Sequence, residues 1–496
     1  MNPRIGLRTT GMVVFGARIF SAVTGLVFAV MVGRQLTQQQ FGLWEFVVTL
    51  VSISIYPVGL VSFWATRDVA RGRMIGRTAY VLGFLLSLGG LAVYAGFTFF
   101  THSDVSSAIA PFLMGAVLVP LSFWSGVTGS IVLGYRPVAG AYSLVCGEIV
   151  KIIVAYSELY VFKAGIIGVL LALNATFAVQ SIIGSYLTRG STQGKLDWEP
   201  ARRWLRLWAL PALTSLPGTL IISDTFFVAL LFGTAVVGYY QPAYLVASVV
   251  GYSSALTTPL YPLLLRGSSG RTSATSLEYM LLFAIPMAVG GIVLARPILV
   301  MFGTTPPHDY ITGSMGLQVL CLMFLFLSIS GVLDQTLMGT EKADEETGAN
   351  LRRLAGSNLV FVSVVNIAFA VTYLASMVLV LTFATSLGVS NSVRVALWAS
   401  MQLVAVLLYL VVKAMRARKV ASIMPSRGVF TYLGASAVMA VVVYLLSLFL
   451  NAGSNGIRYG TELAGLVGAG ALVYFGTVYV LDKGFRDLFR AFLSLL

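Results

Sequence analysis

RQLTQQQFGLWEF at residues 34–46 and LFGTAVVGYYQPA at residues 231–243 decide how this chain is read. Each is a short break between two long apolar runs. Laid over one another, they bring Gly42 onto Gly238 and Leu43-Trp44 onto Tyr239-Tyr240. The residue match is sparse, but the layout matches closely: in both copies a short break and a glycine stand at the opening of the next apolar run. The chain repeats itself, and the repeat predicts two lobes built alike.

Outward from these breaks lie apolar runs near 11–33, 41–65, 78–100, 109–134, 138–157, 164–187, 207–232, 236–264, 277–301, 312–337, 355–385, 393–412, 429–450 and 461–481. As helices they are long enough to cross a hydrocarbon core about 30 Å thick, so about fourteen transmembrane helices are expected. Six on each side of the loop 188–206 make two pseudo-symmetric six-helix lobes, over 1–190 (spans 1–6) and 204–415 (spans 7–12). Residues 428–496 add spans 13 and 14 and a cytoplasmic amphipathic tail. Six is even, so both copies enter the membrane with the same polarity, as in transporters whose halves are related by an axis along the membrane normal. The expected fold is an all-α polytopic membrane protein.

Composition agrees with that reading. Of 496 residues, 58% are hydrophobic and 10% charged, against roughly 25% charged in an ordinary soluble domain. Only the bilayer can solvate so much apolar surface. Cys146 and Cys321 both lie inside apolar runs, which excludes a disulfide scaffold and a cysteine zinc site. With only two histidines, neither a resident metal nor a cofactor is expected. His102 and Asp104 after span 3 and His308 and Asp309 after span 9 occupy equivalent loops, but exposed loop histidines need no metal to explain them.

The net charge of +14 follows from topology. Most lysines and arginines fall in alternate connections: Arg4 and Arg8, Arg67 to Arg77, Arg136, Arg189 to Arg206, Arg266 and Arg271, Lys342 to Arg353, Lys413 to Arg427, and Lys483 to Arg490. If these face the cytoplasm, the positive-inside rule is met and no nucleic acid is needed. Both termini are then cytoplasmic, and a multi-pass plasma-membrane location follows. The first run is a full-length span with no cleavage site, so no signal peptide is expected. Phe485, Leu488, Phe489, Phe492, Leu493 and Leu496 recur at helical spacing and predict the amphipathic tail. The external connections are short, and no Walker motif, catalytic triad or nucleotide fold is present. A non-enzymatic function within the membrane is expected.

The stretches "VGRQLTQQQFGLWEFVVTLVSI" (32–53) and "YPVGLVSFWATRDVARGR" (56–73) resemble the opening of the lipid-linked oligosaccharide flippases of the polysaccharide transport (O-antigen flippase) type. That family sits within the multidrug/oligosaccharidyl-lipid/polysaccharide exporter superfamily. Phe41-Gly42, Gly59-Leu60, Arg67 and Ala70-Arg71 match its pattern, while the turn departs from it with Thr37 and Gln38 to Gln40. "SDTFFVALLFGTAVVGYYQPAYLVAS" (223–248) is similar to the second-repeat pattern, with Thr225 where a basic residue is usual, and "LMGTEKA" (337–343) resembles the loop after span 10. The resemblance implies alternating access, a lipid-linked glycan on a polyprenyl phosphate or pyrophosphate as partner, and flipping from the cytoplasmic to the outer leaflet. A multidrug exporter of the same superfamily is the alternative, although such exporters typically have twelve spans. A membrane glycosyltransferase or polymerase fits less well, because the external loops are short.

A charge at the bilayer centre costs roughly 2.5–3.5 kcal/mol on insertion scales and should be compensated or used. Arg18 in span 1, unless it forms an inter-span salt bridge, and Lys151 in span 5 are candidates to hold a lipid phosphate, Lys151 only if Glu148, three residues away, does not neutralise it. Asp224 in span 7 is a candidate for a coupling proton or sodium ion, or for a salt bridge; Glu148 is likewise a coupling or salt-bridge residue. Trp44, Tyr239 and Tyr240 are candidates to stack on sugar rings at an external mouth, or to belong to an interfacial belt. Pro57 with Gly59, and Pro217 with Gly218, are candidate hinges. Glu45, Glu278, Arg296 and Asp334 lie near span ends and are expected to reach water.

Overall fold

The computed structural model describes residues 7–482 except 71, 106–107, 207, 258–259, 261–263, 265–269, 304–309, 341–355, 419–427 and 451–455, together with 485–486. Among the described residues there is helix and no strand. Among the described residues, twelve helices are long and apolar enough to cross a membrane, or thirteen when one bent pair is counted as a span. The difference from the fourteen expected lies in the run 236–264. It is α-helical over Thr234–Gly251 and then tightens into a 3-10 turn over Tyr252–Thr257. The Ser253, Ser254 and Thr257 hydroxyls there donate to carbonyls three residues back, competing with the α-helical pattern.

Contacts divide the chain into two compact units, Met1–Gly238 and Tyr239–Leu496. The first contains α1 (Leu7–Gln35), α2 (Gln38–Ser54), α3 (Val58–Ala70), α4 (Gly76–Val105), α5 (Ala110–Tyr135), α6 (Pro137–Tyr156), α7 (Gly165–Leu187), α8 (Trp198–Arg206), α9 (Ala209–Ile222) and α10 (Asp224–Phe232), and the first residues of α11 (Thr234–Gly251). Helices α2 and α3 form the bent pair, at 59°. The bend falls at Ile55–Pro57, where proline supplies no amide hydrogen. Thr37 starts α2 with a capping box: its hydroxyl accepts from the Gln40 amide, and the Gln40 side chain accepts from the Thr37 amide. The three glutamines that depart from the family turn thus build a helix start.

The loop 188–206 does more than join two halves. Its helix α8 is amphipathic and buries Ala201 and Trp204 among Val61, Ala65, Val69, Ile75, Ala79 and Ile131. Asp68, almost fully buried at the end of α3, accepts from the Arg203 guanidinium, from Trp204 Nε1 at 3.0 Å and from Arg73 at 3.3 Å. Helices α9 and α10 pack on α2, α3 and α4, which places them in the first unit, whereas the repeat opens its second lobe at residue 204.

The crossing of α2 with the start of α11 carries the repeat into three dimensions. A Cβ on Gly42 would overlap the Thr234 carbonyl, and a Cβ on Gly238 would overlap the Gln38 carbonyl. Gln38 precedes Gly42 by one helical turn, as Thr234 precedes Gly238. The two contacts are therefore images of one another under the repeat, and both need a residue without a side chain.

In the second unit α12 (Gly270–Val293) and the short α13 (Ala295–Val300) precede α14 (Ser314–Gly339), α15 (Asn358–Ser386), α16 (Asn391–Ala417), α17 (Gly428–Ser447) and α18 (Gly456–Leu481). α14 packs extensively on α16, and α15 also packs on α16. The last two spans pack on each other and α17 packs on α12, while from α18 the Tyr474 hydroxyl donates to the Leu282 carbonyl at 2.7 Å. Of the expected tail only Phe485 and Arg486 are described, and the rest lies outside the described residues.

Candidate functional site

The first unit concentrates polar groups where α1 meets α6. Ser21, Thr24 and Phe28 recur along one stripe of α1, and Glu148 and Lys151 share a face of α6. Lys151 Nζ lies 2.5 Å from Glu148 Oε2. The Thr24 hydroxyl donates to the same oxygen at 2.5 Å, and Ser21 donates to Oε1 at 3.2 Å. Lys151 also lies over the Phe28 ring, 5.4 Å from its centroid. Both Glu148 and Lys151 are buried. The condition under which Lys151 stands free for phosphate is therefore not met in this conformation, because Glu148 neutralises it.

Arg18, one turn before Ser21 on α1, is exposed and has no ion-pair partner among the described residues. The charges of this region are thus a matched pair and one unmatched guanidinium. Asp224 is buried at the start of α10, where its carboxylate accepts from the Thr225 amide at 2.6 Å and from the Thr225 hydroxyl at 3.2 Å. A carboxylate facing the first amides of a helix is favourably placed. Thr225 thus satisfies Asp224 where the family usually has a basic residue.

Two of the three candidate aromatics are buried. Trp44 packs edge-on against Phe28 and Phe41. In the second unit Tyr240 stacks on Trp398, with ring centroids 3.6 Å apart, and its hydroxyl donates to Gln402 Oε1 at 3.0 Å. These differ from open stacking platforms: the ring faces are taken by protein, because an aromatic at the start of a span meets the neighbouring helix before it meets solvent. Tyr239 is half-buried. Pro57 lies at the α2–α3 bend. Pro217 and Gly218 lie within α9, and span 7 breaks five residues later, at Ser223, whose amide is shared between the Thr219 and Leu220 carbonyls.

Sequence reasoning missed a second charged cluster, in the second unit. Lys413, assigned above to a cytoplasmic connection, is part of α16 and only 3% exposed. Its ammonium donates to Asp334 Oδ2 at 2.8 Å, to Asn366 Oδ1 at 2.7 Å and to Ser330 Oγ at 2.8 Å, joining α14, α15 and α16. Asp334, expected to reach water, is half-buried and paired with Lys413, with a fifth of its side chain exposed. Its Oδ1 is buried and has no hydrogen-bond partner among the described residues. The polar residues at 330, 334 and 366 were a signal, but nothing in their spacing says that they meet. His308 and Asp309, and the side chains of His102 and Asp104, lie outside the described residues.

No family model and no curated protein matches this chain. Solved structures do. An outward-facing multidrug resistance MATE family transporter of the MOP superfamily is 15% identical, with a TM-score of 0.54, over 84% of this chain and 95% of its own. A MOP superfamily transporter from Pyrococcus furiosus is 15% identical over 83% of this chain and 94% of its own, with a TM-score of 0.48. The likeness is one of fold. The chain is a polytopic all-α membrane protein with a MATE-like fold, and about a sixth of it lies beyond the first of these matches.

Proposed function

We propose that this protein is a transporter that carries a lipid-linked glycan between leaflets by alternating access, with the anionic head group held at Arg18. One observation carries this reading: the buried carboxylate between α1 and α6 is neutralised by Lys151, while Arg18, one turn from Ser21 on α1, is exposed and has no ion-pair partner among the described residues. A guanidinium keeps its proton and grips phosphate through two parallel hydrogen bonds. Organic cations would find no free carboxylate in this cluster. The resemblance of residues 32–73 and 223–248 to the oligosaccharide flippases supports the same class. Proton or sodium coupling through Asp224 and bending at Pro57 or Pro217-Gly218 belong to this proposal. Export of drugs is the second reading, and the fold neighbour described as a multidrug resistance transporter favours it.

Reconstitution separates the two. Vesicles containing the protein should flip a fluorescent polyprenyl-pyrophosphate glycan, and Arg18→Ala should abolish flipping while Arg18→Lys retains part of it. Full flipping by Arg18→Ala would remove the head-group assignment. Gradient-driven uptake of a fluorescent organic cation, with no glycan flipping, would establish the second reading instead.

A further inference from the structure

We propose that a cleft at the end of α5 and α7 binds the phosphoryl head group of an anionic membrane lipid as a fixed part of the protein. This goes beyond the transport reading and does not depend on it. The cleft has a volume of about 360 Å³ and is formed by Tyr135, Arg136, Tyr186, Arg189, Gly190 and Gln193, with Leu187 beside them. Two guanidiniums line it and no carboxylate does. Neither arginine has an acidic partner among the described residues. Arg189 instead lies over the Tyr186 ring, 5.0 Å from its centroid, which holds its positive charge at the membrane end of the cleft.

The setting is that of a lipid and not of a soluble anion. The cleft lies where spans 4 and 6 end and span 5 begins, at a membrane surface that the basic residues assign to the cytoplasm. Leu133, close before the α5 terminus, and Ile182, one turn before Tyr186 on α7, are each more than half exposed. Both precede the cleft residues on the membrane-spanning part of their helices, so a phosphate between the arginines would have exposed apolar side chains nearby for its acyl chains. Basic pockets between spans on this side of a membrane suit anionic head groups.

The wall of the cleft is built in advance. Gly190 leaves the place of its side chain to the Tyr135 hydroxyl, and the loop behind it is held closely. A Cβ on Gly194 would overlap the Met74 carbonyl. The Thr78 hydroxyl donates to the Asp197 carbonyl at 3.0 Å and accepts from the Asp197 amide at 3.1 Å. Each arginine also follows a helix C-terminus, where a cation is favourable by itself. That role would not require the two to face one cleft, nor a tyrosine to hold one of them toward the membrane.

The test is native mass spectrometry of the full-length protein, released from detergent in mixtures of phosphatidylglycerol and phosphatidylcholine with identical acyl chains. The wild type should retain phosphatidylglycerol about tenfold better, since two interfacial cations act on it. Arg136→Gln with Arg189→Gln should remove that preference, and Arg136→Lys with Arg189→Lys should keep part of it. Lys195→Gln with Arg202→Gln, which removes the same charge from the connection 188–206 outside the cleft, should leave it unchanged. Gly190→Ala, which displaces Tyr135 and touches neither charge, should lower it, and this variant decides the matter if the double glutamine variant does not fold. Equal loss in both double glutamine variants would show general attraction and overturn the site. Absence of a preference in the wild type would do the same. Displacement of the lipid by millimolar inorganic phosphate would assign the cleft to a soluble anion and overturn the lipid proposal.

Discussion

Two ion pairs among the described residues, Glu148–Lys151 and Asp334–Lys413, are made in opposite ways. Glu148 and Lys151 sit one turn apart on α6, so their charges cancel as soon as that helix forms, and α1 adds two hydroxyl donors to a unit that is already neutral. Lys413 and Asp334 belong to α16 and α14 and meet only when those helices pack, with Asn366 of α15 completing the contact. The first pair is a local product that the bundle receives. The second is a consequence of the bundle, and it fails if one helix shifts. Charge neutralisation within one helix leaves its surroundings free to change partners, while neutralisation across three helices ties them together.

This contrast predicts different costs for losing one partner. Lys413→Ala leaves a buried carboxylate uncompensated and should lower stability by about 3–5 kcal/mol, seen as a large fall in melting temperature in detergent. Lys413→Met together with Asp334→Leu should recover most of that loss, because replacing both partners by apolar side chains of similar size is often neutral. If the single variant melts like the wild type, the cross-helix pair holds nothing together, and the comparison is broken.

Glu148→Gln should cost less, about 2 kcal/mol, the range of hydrogen bonds to charged groups. The amide carbonyl still accepts from Ser21 or Thr24, and Lys151 can move toward the polar face of α1. The same variant leaves Lys151 as a second unmatched cation near Arg18, so affinity for an anionic head group should rise, as read by binding of a water-soluble polyprenyl-pyrophosphate analogue. A loss of stability equal to that of Lys413→Ala would show that the local pair is as structural as the distant one.

Thr24→Val removes one donor from Glu148 and should cost about 1 kcal/mol, a typical net value for one hydrogen bond. Arg18→Ala should have the smallest effect on melting, with no change measurable by calorimetry, because the side chain is exposed and lacks an ion-pair partner among the described residues. Its effect belongs to transport alone. A marked destabilisation, rescued by neutralising an acidic residue, would make Arg18 a structural partner and sharpen the contrast in favour of the α1–α6 contact.

Not every feature was equally legible before folding. The pairing of Glu148 with Lys151 is readable because a separation of three residues on a helix has one geometry. Ser21 and Thr24 were not connected to it, since they lie 127 and 124 residues from Glu148. Lys413 was read as part of a loop because it directly follows the apolar run ending at Val412. Hydropathy registers that a charge ends a run, and it does not register that α16 continues to Ala417 with this lysine facing α14. The place of Tyr240 near a span end suggests a sugar-stacking or interfacial aromatic, and nothing along the chain shows that Trp398, 158 positions away in sequence, covers it.

By itself the sequence determined that the chain is helical and lies in a bilayer, that it carries an internal repeat, and that Gly42 and Gly238 are equivalent. Those properties depend on composition, period and spacing along the chain, which no partner helix can change. Only the tertiary structure decided that Gly42 and Gly238 both mark one helix crossing, that Asp68 fastens α8 to α3, that Lys413 is buried on Asp334, and that Arg136 and Arg189 line one cleft. Each of these joins residues through space, and the direction in which a side chain leaves its helix has meaning only once the neighbouring helix is in place.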